Sequence, residues 1–412
     1  MLSSSRKSRA AAGAQLVLAA AAVGASASAL AANEWVLDPR VEVAAIYDDN
    51  YRLTDQPGQE ISVSGGSVDA ELAMTSAGQR SQFGITPRIS SSYFPNATTE
   101  DATDYYLSGI AEGRTQRVVS GIKASYADES VVNSELVAAD FPGIDLGQTA
   151  SGDTGRVSIR NRRALTIANP YLQYLWTERR TLSLSAQYTD TRYDNVVFEQ
   201  VGYKDYAATA GITWNVSQRD KFSLVALGDR YSPDNGNTDT DTGGMVAEWR
   251  REYSQVAEWY VRAGAQHSTR DAFGTGPKLS RTAFNGGAGA VWTFQATHLL
   301  VDLLRATAPS GAGYVVKRDE ARLRLTHDFQ PRFTGFASAR GVHTSGLDQA
   351  VISVRDRKYV TANVGAEWHM NREYSLHGAY DYSWQKFGGE PNDAVSNGVS
   401  LSVIYEPRRL KH

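Results

Sequence analysis

From Arg40 onward, apolar and polar side chains alternate over stretches of about ten residues, and the connections between these stretches alternate in length. Short connections fall at 78–80, 113–115, 177–179, 217–220, 330–331 and 370–373. Longer polar ones lie between them at 53–66, 129–162, 195–203, 232–242, 271–280, 308–316, 345–357 and 388–397. A period of two makes strands with two different faces, as in Val399-Ser400-Leu401-Ser402-Val403 and Leu182-Ser183-Leu184-Ser185. Helical stripes are hard to find. Alternating long and short hairpin tips put every second tip in a different compartment, which is how transmembrane barrels are built. The expected fold is all-β, an antiparallel transmembrane barrel of about 18 strands (16 possible), from a first segment at 39–51 to a last at 396–406. Each segment is close to the ~9–11 residues needed to cross a bilayer at a strand tilt of ~45°. An even count puts both ends on the periplasmic side.

The aromatic residues sharpen that reading. Trp176, Trp214, Trp292, Trp368 and Tyr374 stand beside short turns, on the face that also carries Ala, Leu and Val. Tyr47, Tyr93, Tyr126, Tyr188 and Trp384 stand on the same face towards the long loops. Two girdles a barrel's height apart are what anchoring at both membrane interfaces requires.

The first 32 residues read as a cleaved secretory signal. Arg6, Lys7 and Arg9 form a basic start, 15–23 is apolar, and Ala29-Leu30-Ala31 and Ala31-Ala32 offer small residues for a peptidase. The barrel domain then runs over 33–412. Without that leader, net charge falls from −3 to −6, which excludes a generic basic nucleic-acid binder. The absence of Cys excludes disulfides, thiolate zinc sites, a thiol nucleophile and a lipidated Cys. Of 42 basic residues only nine are Lys. Arg suits fixed multi-donor pairing.

Tyr47-Asp48-Asp49-Asn50-Tyr51-Arg52-Leu53-Thr54 resembles the "YDDN…LT" opening of a family of proteobacterial outer-membrane barrels. The turn units Trp176–Leu184, Trp214–Leu224 and Trp368–Leu376 are similar to that family's periplasmic hairpins. The family is the β-barrel porins of the second type, which include barrels of exopolysaccharide and exosortase systems. Membership implies an outer-membrane, porin-like role and supplies no catalytic residues. One departure is the C-terminus, where Tyr405 is followed by seven further residues instead of closing on an aromatic.

Parity assigns the inward face. Arg318, Glu320, Arg322 and Arg324 point inward on one strand, and Arg340 joins them from the next. Glu248, Arg250, Glu258, Arg262 and Asp381 are further pore-lining candidates. An Arg cluster favours anions or sugar hydroxyls and carboxylates, whereas the acidic residues of other strands argue against a simple anion pore. Mixed rows equally make salt-bridged ladders that stiffen a wall. Segment 129–162 is long enough either to enter the lumen or to stay on the surface. Asp234, Asp239 and Asp241 place oxygens at alternate positions, a weak Ca²⁺ pattern without the EF-hand's closing Glu. Gly286-Gly287-Ala288-Gly289 lies inside a strand, so its glycines relieve crowding and do not cradle phosphate. His343 and Asp348 share a loop but form no recognisable catalytic motif.

The expectation is a passive outer-membrane channel for small hydrophilic solutes, with no cofactor, no metal and no enzymatic activity. Its partners would be outer-membrane lipids and lipopolysaccharide, and the barrel-assembly machinery during insertion. Alternatives are an exopolysaccharide exit pore working with periplasmic partners, a barrel enzyme, or a closed structural or adhesion barrel.

Overall fold

The computed structural model describes residues 34–132, 160–195, 200–234, 239–270, 278–347 and 356–407, with the backbone of 410–411. The leader (1–32), most of the 129–162 segment and Asp348 lie outside the described residues, so the readings placed on them rest on sequence. The first six strands are β1 (Trp35–Asp48), β2 (Val63–Ala77), β3 (Ser81–Tyr93), β4 (Ala102–Arg114), β5 (Val118–Ser130) and β6 (Arg162–Thr177). The next six are β7 (Arg180–Tyr193), β8 (Tyr203–Asn215), β9 (Asp220–Pro233), β10 (Thr240–Ser254), β11 (Ala257–Arg270) and β12 (Leu279–Thr293). The wall is completed by β13 (Thr297–Pro309), β14 (Val315–Gln330), β15 (Phe333–Gly346), β16 (Arg357–His369), β17 (Tyr374–Phe387) and β18 (Ala394–Tyr405).

Each strand pairs antiparallel with its sequence neighbours. The sheet closes because β1 also pairs with β18, from Val41↔Tyr405 to Asp48↔Gly398. Closure gives every strand two partners and removes the open edges that a lipid environment forbids. The 18 long strands and their hairpin order are those expected. The polar tail is not idle, however: a two-residue β19 (Leu410–Lys411) returns to pair with Val36 and Leu37, extending the seam.

The period of two puts opposite chemistry on the two faces. Along β1, Val41 and Val43 are exposed on the outer wall while Glu42 between them faces the lumen. Leu184, Leu303, Val364 and Leu401 repeat the outward apolar pattern on other strands. Trp176, Trp368 and Tyr374 stand exposed next to the short turns, and Tyr47 and Tyr93 next to the long loops, giving the two expected girdles. This exposed apolar surface suits lipid, not water. The barrel is therefore an outer-membrane structure.

The first long loop does not stay outside the wall. Leu53 is completely buried against Tyr359 on β16 and Ala394 on β18, and Tyr51 packs with Val63, Phe94 and Val132. Leu53 adopts φ +50°, a left-handed conformation that an L-leucine takes only when its surroundings impose it. Arg52 is held by a bidentate pair to the buried Glu100, at 2.9 and 2.5 Å.

Candidate functional site: the charged lumen belt

The "YDDN" segment builds the outer end of the barrel seam. Ser396 on β18 donates its hydroxyl between the two carboxylate oxygens of Asp48, at 2.8 and 2.9 Å. Asp49 accepts from the backbone N–H and side-chain amide of Asn397, at 2.7 and 2.8 Å. The Asn50 amide donates to Val395 O at 3.0 Å and Thr54 O at 3.1 Å, while Thr54 N–H returns a bond to Asn50 Oδ1. Two consecutive carboxylates and an amide are what such a junction needs: acceptors for the last strand and a turn cap for the loop. In that loop, burial pushes the Tyr51 hydroxyl well above its ordinary value, and the carboxylates of Asp104, Glu100 and Asp48 add to the shift.

The middle of the wall carries the principal site. Parity turns Tyr260 of β11, Asp302 of β13, Arg318, Glu320 and Arg322 of β14 and Arg340 of β15 inward, and all six side chains are buried. Arg322 pairs with Asp302, to which Tyr260 also donates its hydroxyl. Arg340 Nε donates to Glu320 Oε1 at 3.1 Å, and Arg318 Nε lies 3.2 Å from the other oxygen of Glu320. Arg322 Nε approaches Glu320 at 3.8 Å. Three guanidinium groups thus share two carboxylates. Burial of an unpaired guanidinium would be strongly unfavourable, so the carboxylates are what allow three Arg to stand together.

A second group adjoins it. Arg250 of β10 donates to Glu248 at 3.1 Å and to Glu258 at 2.7 Å. The Tyr260 ring sits between the guanidinium groups of Arg250 and Arg262, at 5.5 and 5.9 Å. Tyr260 therefore links the Glu248–Arg250–Glu258 row to the Arg322 network. Glycine makes this possible. A Cβ on Gly289 would stand 2.6 Å from an Asp302 oxygen and 2.7 Å from the Tyr260 ring, and one on Gly287 would stand 3.2 Å from Arg262 Nε.

Nine of the ten expected pore-lining residues fall in this half of the barrel. Arg324 lies on the same inward row as Arg322, half-buried beside Leu300 and Ser338 in register. Asp381 does not join the belt: it faces inward from β17 and accepts from Asn363 at 2.6 Å. Tyr260 and Asp302 are central to the belt and were not among the expected pore-lining residues. The signal was the Gly287/Gly289 pair, whose missing side chains leave a channel across β12.

The acidic triplet Asp234, Asp239 and Asp241, which runs from the β9–β10 connection into β10, is divided. Asp239 accepts from Arg230 at 2.6 Å, and that hydrogen bond holds its carboxyl below the usual carboxylate range. Asp241 lies 3.9 Å from the same guanidinium. Among the described residues no three His, Asp or Glu side chains come together as a metal site.

No protein-family model matches the chain, and no curated protein does. Solved structures do. A BenF-like porin from Pseudomonas fluorescens superposes with a TM-score of 0.50 at 10% identity, covering 92% of this chain and 99% of its own. Pseudomonas aeruginosa OccK2 (OpdF) gives 0.49 at 11% identity over 90% and 98%, and OpdK gives 0.49 at 10% identity over 92% and 99%. At such identities the likeness to the BenF-like porin is one of fold: an outer-membrane porin barrel.

Proposed function

We propose that the chain is a porin-like channel through which small hydrophilic solutes diffuse passively. The observation that carries this reading is the closed 18-strand wall with a hydrophilic belt of ion-paired charges on its inside and apolar side chains on its outside. Barrels of this size enclose an aqueous lumen unless loops fill it. The BenF-like neighbour of the same fold is itself called a porin. Both signs of charge line the belt, so the channel discriminates by local geometry and by dipole orientation more than by net charge. Membership of the second-type β-barrel porins, suggested by the motifs, fits this role.

The decisive measurement is single-channel conductance of the refolded barrel in a planar bilayer, with reversal potentials in a salt gradient. Discrete open steps establish diffusion. A folded but silent barrel overturns it.

A second reading, exit of a polysaccharide, draws on the inward Arg–Tyr stacks: Arg88 over Tyr106 at 5.1 Å and Arg357 over Tyr359 at 5.2 Å, besides those at Tyr260. Such stacks offer flat faces and hydroxyl partners to sugars. Adding oligosaccharides during the same recording separates the two, since a polysaccharide pore is blocked by them and a small-solute channel is not.

A further inference from the structure

Most arginines of the wall are paired with carboxylates; those of the short turns are not. Eight short turns join β2–β3, β4–β5, β6–β7, β8–β9, β10–β11, β12–β13, β14–β15 and β16–β17. Six of them carry an Arg in the connecting residues: Arg80, Arg117, Arg179, Arg219, Arg332 and Arg372. All six side chains belong to exposed residues, and none makes an ion pair among the described residues. The connecting residues of all eight turns contain no Lys, and only two acids, Glu178 and Glu373. The long connections at the other end are the opposite, with 18 acidic residues against five basic ones in the sequence. The charge of the barrel is segregated along its axis.

We propose that this rim of arginines is a docking surface for the phosphate head groups of anionic phospholipids in the inner leaflet. Three observations select that partner. The first is height. Arg179 lies three residues beyond the outward Trp176, Arg332 one residue before Phe333, and Arg372 four beyond Trp368. With a rise of ~3.3 Å per residue and a tilt of ~45°, these positions are about 2–9 Å past the aromatic girdle. The head-group layer on each side of a bilayer is about 5–8 Å thick, so the arginines fall at the phosphates. The neighbouring Arg180 already lies over Trp176 at 5.7 Å, within the interface.

The second is residue type. A planar guanidinium donates two parallel hydrogen bonds to one phosphate, which an ammonium cannot do, and these turns use Arg without exception. The third is distribution. The six cations sit on six separate hairpin tips around the rim. A shell of lipids meets all of them together, whereas an acidic protein docked on one side would meet only a few. The inference does not depend on what passes through the lumen.

The test is retention of lipid by the refolded barrel. The protein is placed in mixed phosphatidylcholine–phosphatidylglycerol nanodiscs, released into native mass spectrometry, and the lipids kept on it are counted. Several phosphatidylglycerol molecules should remain, in clear excess over phosphatidylcholine. The variant with all six Arg→Gln should lose that excess several-fold, and the six Arg→Lys variant should keep part of it. Heat-modifiable gel mobility verifies folding. If the sixfold Gln variant does not fold, the triple variant Arg80→Gln, Arg117→Gln, Arg332→Gln should lose about half the excess. Equal retention of the two lipids by the unaltered barrel would overturn the proposal. So would an excess that survives the Gln substitutions, or a rim that captures polyglutamate while showing no lipid preference.

Discussion

Tyr260 donates its hydroxyl hydrogen to Asp302 from two strands away, across the bare backbone of Gly289. The same device occurs twice more on the inner wall. Tyr171 of β6 lies over Gly121 of β5, where a Cβ would meet its hydroxyl at 2.6 Å, and donates to Glu112 of β4 at 2.5 Å. Phe336 of β15 covers Gly365 of β16 and stacks on His377 of β17, with centroids 5.1 Å apart and planes within 2°. In each case a ring on one strand uses a glycine on the next to reach a partner on the third. Strand glycine usually weakens a sheet, because it adds chain entropy and packs nothing. Here the ring supplies the packing.

Gly289→Ala tests this directly. The new methyl must displace either the Tyr260 ring or the Asp302 carboxylate, and overpacking of this kind costs about 1–3 kcal/mol. Gly243→Ala, with nothing within 4 Å of the added carbon, should be neutral or slightly stabilising. Urea titration of both variants refolded into lipid vesicles reads the difference. Equal midpoints would remove the steric account.

Asp302 sets the charge of the belt. Asp302→Asn leaves the carboxylate of Glu320 to serve Arg318, Arg322 and Arg340. The belt gains positive charge, so the reversal potential in a KCl gradient should move towards the anion-selective side. Losing one partner of a buried pair also destabilises, by about 3–5 kcal/mol. The double change Asp302→Asn with Arg322→Gln restores the balance and should return both readouts towards their original values. A reversal potential unmoved by the single change would mean that ions pass elsewhere in the bore.

How much of this was legible beforehand follows the physics of each feature. Strand number, parity and the two girdles come from a period-2 pattern with alternating connection lengths, signals repeated 18 times and therefore insensitive to any single error. Glu248, Arg250, Glu258 and the Arg318–Arg340 group were placed inward by parity alone. Pairing was another matter. Register relates Arg322 to Asp302, and that is a property of hairpin geometry between strands, not of either strand's sequence. Tyr260 was harder still, because its partner is two strands distant. Leu53 was unreadable, since a loop leucine reads the same whether it dangles or plugs, and its position was decided by Tyr359, more than 300 residues later.

Asp49 and Asn397 hold the seam at its outer end, so Asp49→Ala should loosen closure without altering any other hairpin. Two hydrogen bonds to a charged acceptor contribute about 1.5–3 kcal/mol each where they are shielded, and less here at a partly wet rim. The variant should lose its heat-modifiable mobility at a lower temperature than the parent. Asp55→Ala, in the same loop but without a seam partner, should leave that temperature unchanged. A shared shift in both would mean that loop charge, not the seam, is responsible.

Leu53 offers the sharpest test of the mouth. Its side chain bridges the first loop to Tyr359 and Ala394 on the far side of the seam, from a backbone conformation that costs about 1–3 kcal/mol for a residue with a Cβ. Leu53→Gly relieves the backbone but deletes the anchor. If the loop is held in the mouth by burial of that one leucine, the variant should show larger and noisier single-channel steps, with little loss of global stability because relief and loss oppose each other. Leu53→Ala keeps the unfavourable backbone and loses most of the burial, so it should be the less stable of the two while showing the same wider opening. Should Gly and Ala both leave the conductance unchanged, the limiting section must lie deeper, at the Tyr260–Arg322 belt, and the Asp302 variant would then carry the whole of the selectivity.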